Sequence, residues 1–340
     1  MTNDGMLSVS DLLVDAGRSK GVAGRILQIA ATVFMPPPAA MAASPTVIFG
    51  VPGGGYSKGY FDMEFPGHQG YSEARYHCSR GIIFVACDPV GVGASSLPDP
   101  VSIDFDLLGD SYDAAVREIC NKLRAGSLIP GRGPIQSLTR IGIGQSMGGI
   151  VTILAQGRRS TFDAIGILGA SAIHTVLPQR DARAREASIA GHVQPRGSAV
   201  DVDSIARSSR SIADFVYPFH FEDVPQDVLQ ADIGGGYPLR RSPVPPFGSA
   251  TIPPCAVTMM APGCVAPEAA AVTVPVFVGV GERDVCPEPR AEPRAYANST
   301  DVSVYLVPRM AHMHNFASTR ELLWDRIEHW ARGIPGGKPH

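Results

Sequence analysis

At 340 residues the chain is long for one domain and short for two large ones, which favours a single core with a sizeable insertion. Its 29 Lys and Arg against 32 Asp and Glu give a net charge of −3, with no basic surplus and no basic-aromatic motif, so no nucleic-acid partner is expected. No run of 18 apolar residues occurs, which argues against a membrane span, and the six cysteines lack the paired spacing of a zinc site or a disulfide framework.

Residues 1–25 carry a short amphipathic pattern (Leu7, Leu12, Leu13, Val14) and read as an N-terminal appendage, a plausible contact element for a homo-oligomer. Arg25 to Met35 reads as a strand ended by Pro36-Pro37-Pro38, because proline lacks the N–H a ladder needs. The stretch 26–44 mimics a secretory leader, but its apolar run starts late, behind Asp4, Asp11 and Asp15. A strand and a proline-rich connection is the preferred reading. Thr46 to Val51 is an apolar strand running into Pro52-Gly53-Gly54-Gly55-Tyr56, and Gly81 to Cys87 is another, closed by Asp88-Pro89-Val90-Gly91. Residues 104–125 show helical spacing through Leu107, Leu108, Ala115, Val116, Ile119 and Leu123. Leu138 to Ile143 is a strand, followed by a glycine-flanked turn and a helix to about Gln156. Strands at Asp163–Leu168, Val274–Val280 and Asp301–Val307 follow, then a helix at Phe316–Ala331 with Leu322, Leu323, Ile327 and Trp330 on one face.

Short apolar strands alternating with helices imply an α/β fold with a largely parallel sheet covered on both faces. The rhythm stops between Ser171 and about Ala270, too long a stretch for a simple connection. The expected organisation is therefore a core of 1–170 and 271–340 interrupted by a cap at 171–270, with no internal repeat. Cys255 and Cys264 are spaced to bridge a loop in this segment, although buried free thiols in a reducing, cytoplasmic setting are the default.

The chemistry concentrates in Gly144-Gln145-Ser146-Met147-Gly148. A strand, a tight turn flanked by glycines and a helix is the context of a Gly-x-Ser-x-Gly nucleophile elbow, which lifts a serine hydroxyl clear of the sheet. Such a serine needs a base, a carboxylate to orient the base, and donors for an oxyanion. His312, after the last strand, is the preferred base; His314 competes, and whichever loses is expected to be a hydrogen-bonded loop histidine with substrate contact open to it. Asp284, at the end of the strand Val274–Val280, is preferred over Glu282 as the acid. The order Ser146, Asp284, His312 is the one this elbow requires. The backbone amides of Met147 and Gly54 are the expected oxyanion donors, with Gly53 and Gly55 close behind.

With Gly53-Gly54-Gly55, Asp88-x-x-Gly91-x-Gly93-x-Ser95, the elbow, Gly281-x-x-Asp284 and Ala311-His312 in place, the chain resembles an α/β-hydrolase of the capped esterase or lipase kind over about 45–170 and 270–332. The resemblance implies an eight-stranded, mostly parallel sheet flanked by helices and a Ser-Asp-His triad that works without metal or cofactor. Pro52 departs from the histidine that usually opens the oxyanion loop, and the cap resembles none that would name a substrate.

The expected activity is cleavage of a moderately hydrophobic carboxylic ester or lactone through an acyl-enzyme on Ser146. Acyl transfer, C–C bond hydrolysis and a non-catalytic ligand-binding role remain open. Ser146 argues against the related enzymes that use an aspartate nucleophile. A dinucleotide reading of Gly142-x-Gly144, with Asp163 beyond it, is disfavoured because strands and a helix precede it. Phe215, Tyr217, Phe219, Phe221, Met259 and Met260 either line an apolar pocket beneath the cap or form the cap's own small core; Tyr56 is a candidate substrate contact bordering the oxyanion loop; and Arg240 and Arg241 either meet an anionic substrate or lie solvated at the surface.

Overall fold

The structure, a computed structural model, describes residues 7–18, 26–191, 194–240 and 243–335. In chain order the elements of the first part are β1 (Ser8–Arg18), β2 (Ile26–Met35), β3 (Thr46–Val51), α1 (Glu73–Cys78), β4 (Ile83–Cys87), α2 (Phe105–Ala125), β5 (Thr139–Gln145), α3 (Met147–Arg159) and β6 (Ala164–Leu168). The stretch expected as a cap carries α4 (Ala182–Gly191), α5 (Ser204–Ser209), α6 (Val216–Phe219), α7 (Gln226–Ile233) and α8 (Ala266–Ala271), with no strand of the sheet among its described residues. β7 (Val276–Arg283), β8 (Val302–Ala311) and α9 (Arg320–Arg332) complete the chain.

The strands form one eight-stranded sheet in the order β1-β2-β4-β3-β5-β6-β7-β8, parallel from β4 to β8. β1 and β2 are antiparallel to their neighbours at one edge. The central strands are near-continuous apolar runs because both faces are covered. On β3, Val47, Phe49 and Val51 enter the core on one side and Ile48 the core on the other. Two devices bound the long helix α2. The Asp104 carboxylate accepts the Leu107 N–H at 2.7 Å at its start, and Gly126 closes it in the left-handed region.

Three sequence readings change. The expected N-terminal appendage contains β1, paired with β2 from Ser8↔Met35 to Arg18↔Ile26. Val14 and Ala16 are buried while Val9 and Leu13 are exposed, the period-two alternation of an edge strand. Second, β7 and β8 run past Val280 and Val307, to Arg283 and Ala311, across a register shift between Gly281 and Arg283. Pro308 concealed the extension, since proline in a strand is tolerated only at an edge such as β8. Third, the last helix starts at Arg320, preceded by a 3-10 turn at His314–Phe316 in which Asn315 is held by Tyr60 and Glu73.

All six cysteines, Cys255 and Cys264 included, are free and buried. Among the described residues no helix is long and apolar enough to cross a membrane.

Candidate active site

Three strands end on the three candidate groups. Ser146 directly follows β5, Asp284 directly follows β7 and His312 directly follows β8, so all three lie at the carboxyl edge of the parallel sheet. Ser146 has φ 55° and ψ −119°, a strained conformation for a non-glycine residue that costs ~1–3 kcal/mol and persists because its surroundings hold it. The Ser146 N–H is fixed to the Leu168 carbonyl of β6 at 2.8 Å. The flanking glycines are required by contact. A Cβ on Gly144 would lie 2.1 Å from the Gly148 oxygen, and one on Gly148 would lie 2.1 Å from the Val51 oxygen of β3.

The His312 ring stands between serine and carboxylate. Its Nδ1 lies 2.7 Å from Asp284 Oδ1 and its Nε2 2.9 Å from Ser146 Oγ. Because a carboxylate only accepts, Nδ1 carries the proton, which leaves Nε2 of the neutral ring to accept the Ser146 O–H. The ring's position is set from its backbone: His312 N–H donates to Pro218 O at 3.0 Å, and the Gln145 side-chain amide donates to His312 O at 2.9 Å. Asp284 is fully enclosed, which by itself would raise its pKa. His314 and His312 outweigh that burial and hold the carboxyl far below the usual carboxylate range. The Val285 and Gly281 N–H groups donate to it as well, at 2.7 and 2.9 Å. Of the two histidines, His312 reaches the serine. His314 instead donates its Nε2–H to Asp284 Oδ2 at 2.7 Å and does not line the cavity.

The glycine loop after β3 brings Gly54 to the cavity wall beside Ser146 and Met147, the first residue of α3. Gly53 packs beneath, where a Cβ would sit 2.3 Å from Gln145 Oε1 and 3.0 Å from Ser146 Cβ. Gly55 faces away from the cavity, and its carbonyl accepts from Arg240 Nε at 3.2 Å and Ser249 N at 3.0 Å.

The cavity has a volume of about 140 Å³. Ile150, Leu177, Phe215, Phe219, Tyr237 and Met259 supply much of its wall, and Ser208 and Ser209 also line it. No Asp, Glu, Lys or Arg side chain lines it among the described residues. Phe219 also packs against the His312 ring, with centroids 5.3 Å apart. Ile205, Ser208, Ser209 and Ile212 were missed from sequence, although their spacing is that of one helix face.

Tyr56, Tyr217 and Arg240 do not line the cavity. Tyr217 stacks between the Arg180 and Arg283 guanidiniums, 4.4 and 4.1 Å from its ring, and Phe221 packs on Arg283 too. Tyr56 is wholly buried and donates its hydroxyl to Asp232 Oδ2 at 2.7 Å. The same carboxylate takes His220 Nε2 at 2.7 Å and Arg240 Nη2 at 2.6 Å, so Arg240 is a buried partner of Asp232, away from the cavity wall. Burial alone would raise the Asp232 pKa; His220 and Arg240 reverse that and hold it below the ordinary value. Arg241 lies outside the described residues. Among the described residues no group of three or more His, Cys, Asp or Glu side chains is placed to hold a metal ion.

No protein-family model matches the chain, and no curated protein matches its sequence. Solved structures do match over almost the whole length. A peroxisomal alpha-beta-hydrolase from Saccharomyces cerevisiae superposes with a TM-score of 0.54 at 13% identity, covering 97% of this chain and 90% of that one. The fold is that of the α/β-hydrolases. A bromoperoxidase from Bacillus anthracis matches with a TM-score of 0.60 at 13% identity, over 95% of this chain and 99% of that chain. An esterase from Thermogutta terrifontis matches with a TM-score of 0.56 at 13% identity, over 96% and 99%. Neighbours with such different names share the α/β-hydrolase scaffold, so the scaffold does not fix an activity and the residues at its carboxyl edge must.

Proposed function

We propose that the protein is a serine hydrolase that cleaves an uncharged, moderately hydrophobic carboxylic ester or lactone. The unbroken hydrogen-bonded chain from Ser146 through His312 to Asp284, opening on an apolar cavity, carries this reading. In the first step His312 Nε2 takes the Ser146 proton as Oγ attacks the substrate carbonyl. Asp284 holds the tautomer and stabilises the imidazolium. Negative charge then gathers on the former carbonyl oxygen, for which the Met147 and Gly54 amides are the donors, each worth about 10²–10³ in rate in such sites. The imidazolium protonates the leaving alcohol. In the second step His312 draws a proton from water, which attacks the acyl-enzyme, and Ser146 is released with the acid.

The substrate class follows from the walls. With no charged side chain facing the cavity among the described residues, a carboxylate or ammonium on the bound group would be buried unpaired, at a cost of several kcal/mol. The residues 171–270 act in this reading as a cap, contributing Leu177, Phe219, Tyr237 and Met259 to the wall opposite the core.

The test is hydrolysis of p-nitrophenyl butyrate by the parent and by Ser146→Ala, with fluorophosphonate labelling of both. Turnover and labelling that vanish together in Ser146→Ala are expected. Equal turnover in the two proteins overturns the proposal.

A further inference from the structure

Asp284 carries two imidazoles, and the proposed mechanism uses only one. Its oxygens are shared evenly: Oδ1 takes His312 Nδ1 and the Val285 N–H, each at 2.7 Å. Oδ2 takes His314 Nε2 at 2.7 Å and the Gly281 N–H at 2.9 Å. We propose that His314 is a positioning residue which locks the Asp284 carboxylate and draws charge from it, so that His312 stays neutral to lower pH than beside a carboxylate carrying one imidazole. This inference rests on the serine-hydrolase reading.

His314 is 1% exposed, and its Nδ1 is buried with no hydrogen-bond partner. An enclosed imidazole with one unsatisfied nitrogen is costly, so apolar packing alone would favour a phenylalanine or methionine there. The site is nonetheless shaped for two rings. Gly169, at φ +53° after β6, would with a Cβ lie 3.1 Å from His312 Nδ1 and 3.2 Å from His314 Nε2. The His314 N–H donates to the His312 carbonyl at 3.1 Å, which ties the two residues' backbones together.

The electrostatic consequence has a definite sign. A donor on Oδ2 stabilises the anion by itself and weakens its pull on a proton at His312. The other ionisable groups beside Asp284 are the Tyr60 phenol and the Cys286 thiol, both raised chiefly by burial and therefore neutral. Further out stand Glu73 and His77 beyond Tyr60, Glu292 beyond Cys286, and the Asp232, His220 and Arg240 cluster. Arg283, next in sequence, is engaged by Glu222.

The experiment compares the parent, His314→Phe and His314→Gln by kcat/KM against pH and by NMR titration of the His312 ring. His314→Phe keeps the volume and removes the donor. Its acidic limb and the His312 titration should move up by roughly 0.5–1 pH unit, a loss of about three- to tenfold at a pH on that limb. His314→Gln keeps an N–H without a titrating ring and should recover most of the shift. Coincident His312 titrations in all three proteins, or equal displacement in both variants, overturn the proposal. A parent without serine-dependent turnover would overturn the hydrolase reading instead, while the NMR titrations would still report whether His314 sets the state of His312.

Discussion

Acyl-chain length probes the cavity beside Ser146 directly. Each methylene moved from water onto apolar walls gains about 0.8 kcal/mol. If that gain is realised in the transition state, kcat/KM rises about fourfold per carbon. From p-nitrophenyl acetate to butyrate the expected increase is therefore about 15-fold. The cavity of about 140 Å³ is close to the ~150 Å³ that holds one benzene molecule, so an acyl group of roughly six carbons fills it. Carbons beyond that must remain in water or displace Met259, Ile150 or Phe219, so the curve should flatten by octanoate and fall by laurate. Met259→Ala removes a thioether arm from the wall and should move the optimum outward by about two carbons. The assay is initial-rate kinetics from acetate to laurate on both proteins. A rate that climbs unbroken to laurate in the parent, or a Met259→Ala variant that loses equally at every length, refutes the assignment of this cavity to the acyl group.

Asp284→Asn should lower kcat by about 10⁴-fold, because the neutral amide no longer enforces the His312 tautomer. The same variant has a stability signature. A carboxyl whose folded pKa is depressed contributes stability that is complete above its unfolded pKa of about 4 and is lost as pH falls toward the folded value. Urea midpoints measured between pH 7 and pH 3 should therefore fall less steeply in Asp284→Asn than in the parent; equal slopes would mean that the carboxylate is not stabilised in the fold. Asp232→Ala leaves the Arg240 guanidinium buried without its partner and should cost about 3–5 kcal/mol by denaturant unfolding at pH 7. A cost under about 1 kcal/mol would refute the pairing.

The fold was legible where burial and period coincide. Thr46–Val51 and the elbow strand are covered on both faces, so a short apolar run between turn signals identifies them. β1 was missed because an edge strand shows half its residues to water, and Val9 and Leu13 on the exposed side blur the alternation. That Ser146, Asp284 and His312 would meet was legible because each follows a strand end and their chain order is constrained. Which histidine faces the serine was a preference from sequence alone, since two residues of separation decide it only once β8 is known to run to Ala311. The cavity wall was read in part. Phe215, Phe219, Met259 and Met260 line it, whereas Tyr217 and Phe221 are the same residue types captured by arginines that nothing in their local sequence reveals.

Asp232 shows why the rest resisted reading, and it bears on how the site is held. Its partners come from separate parts of the chain: Tyr56 from the glycine loop, His220 beside α6 and Arg240 after α7. No spacing rule joins them. Yet the loop they hold has the strictest positional demand in the proposed mechanism, because an amide donor must meet the oxyanion within a few tenths of an ångström. Three successive glycines provide no side chain by which to fix that amide. The available handles are carbonyls and the next side chain, and these are the ones taken. Arg240 and Ser249 bind the Gly55 carbonyl, and Asp232 binds the Tyr56 hydroxyl. His220, Asp232, Arg240 and Ser249 thus brace the glycine loop from outside the cavity. In the hydrolase reading they hold an oxyanion donor, so damage at Asp232 should lower kcat at saturating substrate, whereas a loss of substrate affinity alone would raise KM and leave kcat unchanged.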